Sequence, residues 1–263
     1  MKLAIIAITE EGLHVARTIQ KDLGGELYTP EKICTEEINT NEDFFKIYSS
    51  STKDLIAKLW GRFDSFIFVM SLGIVTRITK DHILDKYKDP AIVVVDEMGR
   101  YAISALSGHE GGANRLSEQV SLACGGDFVV TTGSEATKKI IVGMGCRRDT
   151  PVEKLEATLR EGLAKVGKTT DDVRLIASVE IKKDEKGLFE LSEKFGIPLK
   201  FISTELIKTV EDRFDESPLV KKTLGIGSVA EPCAILGGHR CKIILPRLKK
   251  DGTTIAIAEE SSL

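Results

Sequence analysis

The chain has 263 residues, 42% of them hydrophobic, with 37 Lys+Arg against 40 Asp+Glu and a formal charge of −3. It is apolar enough for packed cores and long enough for one large or two modest domains, which excludes a disordered tail. The balanced charge argues against nonspecific nucleic-acid binding, and runs such as Leu3–Ile8 and Phe66–Met70 fall far short of the ~20 apolar residues that cross a bilayer.

In chain order, Leu3–Ile8 reads as a buried strand. Leu13, Val15, Ala16, Ile19 and Leu23 then mark one helix face, stopped at Gly24-Gly25. A short strand at Glu26–Tyr28 completes a strand–helix–strand opening of α/β type. The stretch 31–51 is polar and carries no clear period. Thr52–Leu59 reads as a helix with Thr52 as N-cap, and Ser65–Met70 as a buried strand. Ser71-Leu72-Gly73 leads into a helical segment near Ile74–Ile78. Ala91–Val95 and Tyr101–Leu106 form a hairpin around Glu97–Arg100. The loop Ser107–Gly112 opens a helix from Ala113 to about Cys124, and Phe128–Thr132 is a strand.

Gly133–Lys139 then separates two α/β units, giving domains at 1–133 and 139–263 with 134–138 as linker. The second begins with a strand at Ile140–Val142 and a Gly-rich bend at Gly143–Arg148. Thr150, Pro151 and Glu153 spell a helix start, with Thr as N-cap and Pro at the first helical position. Strands are expected at Val173–Ser178 and Leu199–Ile202 around a helix at Asp184–Phe195. Short helices are expected at Ser203–Val210, Pro218–Leu224 and Ser228–Leu236. Strands at Lys242–Leu245 and Thr253–Ala258 close the chain. The expected architecture is two α/β domains, each a mostly parallel or mixed sheet flanked by helices.

The five cysteines, at 34, 124, 146, 233 and 241, contain no C-x-x-C pair, so neither a disulfide framework nor a protein-bound metal is expected. With Met1-Lys2 running straight into a strand, this points to a reduced, cytoplasmic setting.

Four segments can carry chemistry. Ser107-Gly108-His109-Glu110-Gly111-Gly112-Ala113-Asn114 sets three glycines before a helix, where backbone amides can approach an anion or a developing oxyanion. A tight turn explains the glycines equally well. The loop is neither a Walker A loop nor G-x-G-x-x-G, and the missing Lys argues against a nucleotide. Gly143, Gly145, Arg147 and Arg148 place two guanidinium groups, which fit carboxylates, at a strand end. Cys146 beside them is either an activated thiol or a small buried residue. Glu231 stands alone in the small-residue stretch Ser228–Pro232, as a site carboxylate or a helix-start residue. Gly73 and Arg77 follow a buried strand. Ligands collect at strand ends in α/β sheets, so the ends near Gly73, Gly108 and Gly143 are expected to converge on one cleft.

The stretches FDSFIFVMSLGIVTRI (63–78), DPAIVVVDEMGRYAISALSGHEGGANRLSEQV (89–120), IVGMGCRRDTP (141–151), IASVEIKKDEKGLFELSEKFGIPLKF (176–201) and GIGSVAEPCAILGG (225–238) together resemble the cobalt-precorrin-5A hydrolase family of anaerobic cobalamin synthesis. S-G-H-x-G-G-A-N, V-G-x-G-C-R-R and S-V-A-E-P-x-A, in that order, carry the resemblance. Family members usually have a further segment in the middle; here only Gly133–Lys139 stands there.

The resemblance implies opening of a δ-lactone on a cobalt-bound tetrapyrrole, followed by loss of a two-carbon fragment as acetaldehyde. The alternative is a carrier that binds such an intermediate without chemistry. Lactone attack needs a base and oxyanion donors. His109 or Glu231 is the expected base, and the Gly111 and Gly112 amides the donors. Asn114 would orient the lactone carbonyl, and Arg77, Arg147 and Arg148 would hold the carboxylate arms. No cofactor is expected, cobalt arriving with the substrate. The expected partners are the cobalt-precorrin and other enzymes of the pathway, to which the product is handed, with neither nucleic acid nor membrane among them.

Overall fold

The computed structural model describes residues 2–34, 44–217, 220–222 and 225–261. The chain divides into two compact units, Met1–Thr132 and Gly133–Leu263.

The first unit runs β1 (Leu3–Ala7), α1 (Glu10–Leu23), β2 (Glu26–Pro30), β3 (Phe45–Tyr48), α2 (Thr52–Leu59), β4 (Ser65–Val69), α3 (Leu72–Thr79), β5 (Ala91–Val95), β6 (Tyr101–Leu106), α4 (Ala113–Cys124) and β7 (Asp127–Val129). Its sheet has the order β3-β2-β1-β4-β5-β6-β7. Helices cover both faces, which explains why β1, β4 and β5 are buried along their whole length. Leu13, Ala16 and Ile19 of α1 pack with Leu116 and Val120 of α4 on the face of Ile5, Ile67 and Val93. Leu55, Ile56 and Leu59 of α2 and Val75 of α3 pack on Ile6, Phe66 and Phe68 on the other.

Local chemistry sets the ends of these elements. The Thr9 hydroxyl accepts the Gly12 amide at 3.1 Å and starts α1; Gly24, at φ 71, stops it. For α2 the cap is Ser51, whose hydroxyl accepts the Asp54 amide, one residue before the expected Thr52. The polar stretch without a period contains β3, which among the described residues is an edge strand paired only with β2.

Strands β1 to β5 are mutually parallel, β6 is antiparallel to β5, and β7 follows β6. The segments after β1 and β4 and the β5–β6 turn therefore leave one edge of the sheet. The loop after β6 leaves the opposite edge, beside the start of β5, where the Ser107 hydroxyl donates to the Asp89 carbonyl at 3.0 Å. At about 3.3 Å per residue, five-residue strands hold these edges roughly 17 Å apart.

The second unit runs α5 (Gly133–Ala136), β8 (Ile140–Cys146), α6 (Val152–Lys165), β9 (Val173–Val179), α7 (Lys186–Phe195), β10 (Leu199–Ile202), α8 (Thr204–Lys208), α9 (Ala230–Leu236), β11 (Cys241–Lys250) and β12 (Thr253–Glu260). Its sheet order is β10-β9-β8-β12-β11, with β8, β9 and β10 parallel and the closing hairpin antiparallel. Leu155, Leu159 and Leu163 of α6 and Leu188 and Leu191 of α7 pack on Ile140, Val142, Met144 and Ile176. Helix α9 lies on the opposite face, over Ile141, Gly143 and Ala177.

The expected bend at Gly143–Cys146 is instead the second half of β8, paired with β12 from Gly143↔Ala256 to Cys146↔Thr253. Gly143 follows from helix packing, not turning. Thr150 is not a side-chain cap of α6: its hydroxyl donates to the Arg147 carbonyl and its amide to Glu185 Oε1. The helix expected at Pro218–Leu224 falls largely outside the described residues.

Candidate functional site

In the first unit the Ser107–Asn114 loop is fixed from within. Gly112, at φ 85, caps α4, a conformation that strains any residue with a Cβ. The amides of Gly111 and Ala113 both donate to the Ser107 carbonyl, and the Asn114 amide to the Gly108 carbonyl. The Gly111 amide is thus committed to the loop itself, which corrects its expected role as an oxyanion donor; the Gly112 amide makes no such bond among the described residues. Asn114 is committed too. Its Oδ1 accepts the Ser104 hydroxyl at 2.8 Å and its Nδ2 donates to Thr132 Oγ1 at 2.9 Å, so it ties the loop to β6 and to the end of the unit. Gly108 packs against this junction: a Cβ there would lie 2.7 Å from Asn114 Oδ1. His109 and Glu110 project from the loop into solvent.

Gly73 and Arg77 form a separate pair, with Arg77 Nη1 3.9 Å from where a Gly73 Cβ would sit. They lie at or behind the end of β4, and the reversal at β6 sends the His109 loop to the other edge. The expected convergence of the ends near Gly73 and Gly108 does not occur within this sheet. Beside Gly73 the two crossovers diverge, one from β1 to β2 and the other from β4 to β5. In doubly wound sheets this is the place where ligands collect. Here it carries Thr9, whose hydroxyl donates to Glu97 Oε1 at 2.9 Å.

In the second unit Gly143 is covered by α9. A Cβ on it would fall 1.8 Å from the Ala230 carbonyl oxygen and 2.6 Å from the Ala234 amide nitrogen, both backbone atoms. This glycine brings a helix down onto a strand, and the expectation that it touches substrate is corrected accordingly. A Cβ on Gly145 would meet the side chains of Val229, at 3.5 Å, and Thr254, at 3.9 Å. Arg147 lies along Gly252 of the β11–β12 turn, and Arg148 forms an exposed 2.7 Å ion pair with Asp184. Both guanidinium groups remain at the surface near the end of β8. Burial pushes the Cys146 thiol up to about 11, with Lys182 pulling the other way. It is therefore a neutral, weakly nucleophilic thiol near pH 7.

Glu231 is in the first turn of α9 and is only 9% exposed. Its Oε1 accepts the Arg247 amide at 3.3 Å, while the buried Oε2 has no hydrogen-bond partner among the described residues. The Ser228 hydroxyl, three residues earlier and 1% exposed, is also buried without a partner. A buried polar atom without a partner costs about 1–3 kcal/mol; the Thr29, Ser65 and Ser178 hydroxyls are in the same state, and what sets Ser228 and Glu231 apart is that they share one short motif. Ser228 was not singled out in the sequence, although it stands in the same motif string. Ser104, Asp89 and Thr132 were missed because their roles arise from pairing across the sheet. Among the described residues no group of three His, Cys, Asp or Glu side chains is arranged to hold a metal ion. None of the described helices is long and apolar enough to cross a membrane.

Two family models match the chain in order: "Cobalamin synthesis G N-terminal" at residues 54–135 and "Cobalamin synthesis G C-terminus" at residues 140–258. The chain belongs to the cobalamin synthesis G family. The first match contains Gly73, Arg77 and the Ser107–Asn114 loop; the second contains β8, the Arg pair and Glu231. The chain is 24% identical to the cobalt-precorrin-5A hydrolase of Priestia megaterium, over 97% of this chain and 94% of the relative. It is 23% identical to the protein of the same name from Salmonella typhimurium, over 97% of each. The Priestia alignment runs over 354 positions against 263 residues here, so that relative has residues with no counterpart in this chain. Among solved structures it resembles CobE, a protein from the cobalamin biosynthetic pathway, at 31% identity over 46% of this chain and 89% of CobE, with a TM-score of 0.44.

Proposed function

We propose that this family member acts on cobalt-precorrin-5A: water opens the δ-lactone and the extruded two-carbon fragment leaves as acetaldehyde. The observation that carries the reading is the buried, unpartnered Oε2 of Glu231 in the S-V-A-E-P motif. A carboxylate held this way can take a proton from water as its oxygen attacks the lactone carbonyl. The acyl C–O bond then breaks, leaving a ring-A acetate and a free hydroxyl. That hydroxyl loses its proton, its carbon becomes the carbonyl of acetaldehyde, and the electrons of the broken C–C bond pass into the conjugated macrocycle. His109, exposed on its glycine loop, is the second candidate for a proton-transfer step. Taken within each unit, the Gly112 amide is a candidate anion donor and Arg77 a candidate clamp for a carboxylate arm in the first, and Arg147 and Arg148 are candidate clamps in the second.

The names of the full-length relatives support this substrate class. The residues this chain lacks relative to the longer Priestia protein favour a second reading, a carrier that binds the macrocycle without turnover. Anaerobic incubation with the lactone, with acetaldehyde trapped by alcohol dehydrogenase and NADH, separates the two. Release of one acetaldehyde per substrate, slowed at least about 100-fold by Glu231→Gln, is expected. A tight complex with no acetaldehyde would establish the carrier.

A further inference from the structure

Between α3 and β5 the chain makes a loop whose backbone is tied down while its apolar side chains face out. The Asp89 carboxylate is buried and accepts the amides of Leu84 and Asp85, at 3.0 and 2.9 Å. Asp85 Oδ1 accepts the Tyr87 amide, and the Asp85 carbonyl accepts those of Lys88 and Asp89. Two carboxylates and one backbone carbonyl thus tie down Leu84, Asp85, Tyr87, Lys88 and Asp89. From this frame Leu84 is 88% exposed and Tyr87 68%, with Ile83 also exposed. Large apolar side chains held outward by a rigid, hydrogen-bonded frame are a feature of binding surfaces. Lys80, Lys86 and Lys88 stand exposed around them, with Lys86 Nζ 4.6 Å above the Tyr87 ring.

The loop is joined to the candidate site. The Asp89 carbonyl accepts the Ser107 hydroxyl, so one residue anchors both this loop and the S-G-H-x-G-G loop. An apolar patch with Lys80, Lys86 and Lys88 around it, tied by one hydrogen bond to a glycine loop, complements a flat apolar ring with carboxylates on its periphery. We propose that the 83–88 loop is the platform on which one face of the tetrapyrrole rests, Leu84 and Tyr87 beneath the ring and Lys86 and Lys88 toward its acid arms. The proposal rests on the substrate class proposed above and adds the residues that receive it.

The chain supplies its own reporter. Trp60 is its single tryptophan, and its ring stacks on His82, two residues from Leu84, at 5.3 Å. The probe is cobyrinic acid, a stable cobalt corrinoid bearing carboxylate arms, titrated into the full chain while Trp60 emission is followed. Saturable quenching is expected for the unaltered chain. The double change Leu84→Ser and Tyr87→Ser should weaken binding at least about tenfold. Lys86→Glu with Lys88→Glu should weaken it by a factor that shrinks with added salt. These side chains are exposed and the frame residues Asp85 and Asp89 are kept, so the variants should melt as the parent does.

Equal affinity in parent and Leu84/Tyr87 variant would overturn the proposal, as would absence of binding by the parent. A dimer that dissociates on the same change would assign the patch to a second copy of the chain and overturn it too. The acetaldehyde assay on the parent is read separately. Turnover with an unaltered affinity in the variant would remove the platform and leave the reaction standing.

Discussion

Replacing Gly143 by alanine puts a methyl group where a helix backbone already lies. The new Cβ would stand 1.8 Å from the Ala230 carbonyl oxygen and 2.6 Å from the Ala234 amide nitrogen. Ordinary contact begins near 3.4 Å, so α9 must lift by about 1.6 Å or β8 must sink into the α6/α7 side of the core. Overpacking usually costs about 1–3 kcal/mol, and here no flexible side chain is available to yield, so the upper end is expected. For a unit of this size, about 3 kcal/mol lowers Tm by roughly 10 °C. Gly145→Ala is the control from the same motif. Its Cβ would meet the Val229 side chain at 3.5 Å, an ordinary contact, so the change should stay within about 1 kcal/mol. Scanning calorimetry of the full chain reads the change. Because α9 carries Glu231, Gly143→Ala should also reduce acetaldehyde release in proportion to the helix displacement. Equal melting of the Gly143→Ala and Gly145→Ala chains would show that α9 is not seated on β8, and would remove the basis for placing Glu231.

Two further outcomes are expected from local chemistry. Asn114→Ala deletes the bonds to Ser104 and Thr132 and leaves two hydroxyls to find other partners, so the first unit should lose about 1–3 kcal/mol in urea unfolding; an unchanged midpoint would contradict the loop geometry. Burial pushes the thiols of Cys124, Cys146 and Cys241 up to about 11, from an ordinary value of 9.0. The unfolded chain loses those protons first, so stability holds below pH 9 and falls from there toward pH 11; a urea midpoint equal at pH 8 and pH 10.5 would contradict the burial of these thiols.

Much of the fold is legible in the residues, and its gaps have physical causes. Uncharged β-branched runs such as Ala91–Val95 identify strands covered on both faces, and Gly24 after an apolar helix face identifies a stop. Strand β3 is hidden because it is only four residues long, too short for its alternation to stand out within a polar stretch. The Gly143–Gly145 pair reads as a bend by local rules. Only the helix above Gly143, some ninety residues later in the chain, explains that glycine as close packing. The hairpin of β5 and β6 is plain in the sequence, and it carries a consequence for the site: a loop after a reversed strand leaves from the far edge. Gly73 and Gly108, both glycines at strand ends, are therefore separated by strand direction.

The candidate site divides in the same way. Motif strings point to Glu231 and the His109 loop, because unusual residues in small-residue company stand out. They are silent on which polar atoms are already engaged. Asn114 and the Gly111 amide turn out to be part of the loop's own support, while Ser228, an ordinary residue in its motif string, is buried without a partner among the described residues.

The claim on which the account depends is that this chain, by itself, delivers water to the lactone carbonyl. Single-turnover hydrolysis in oxygen-18 water, with the product acid analysed by mass spectrometry, tests it most directly. The account predicts one heavy oxygen in the ring-A acetate with the unaltered chain, accompanied by acetaldehyde, and almost none with Glu231→Gln. Unlabelled product, or substrate recovered intact from a stable complex, would contradict it.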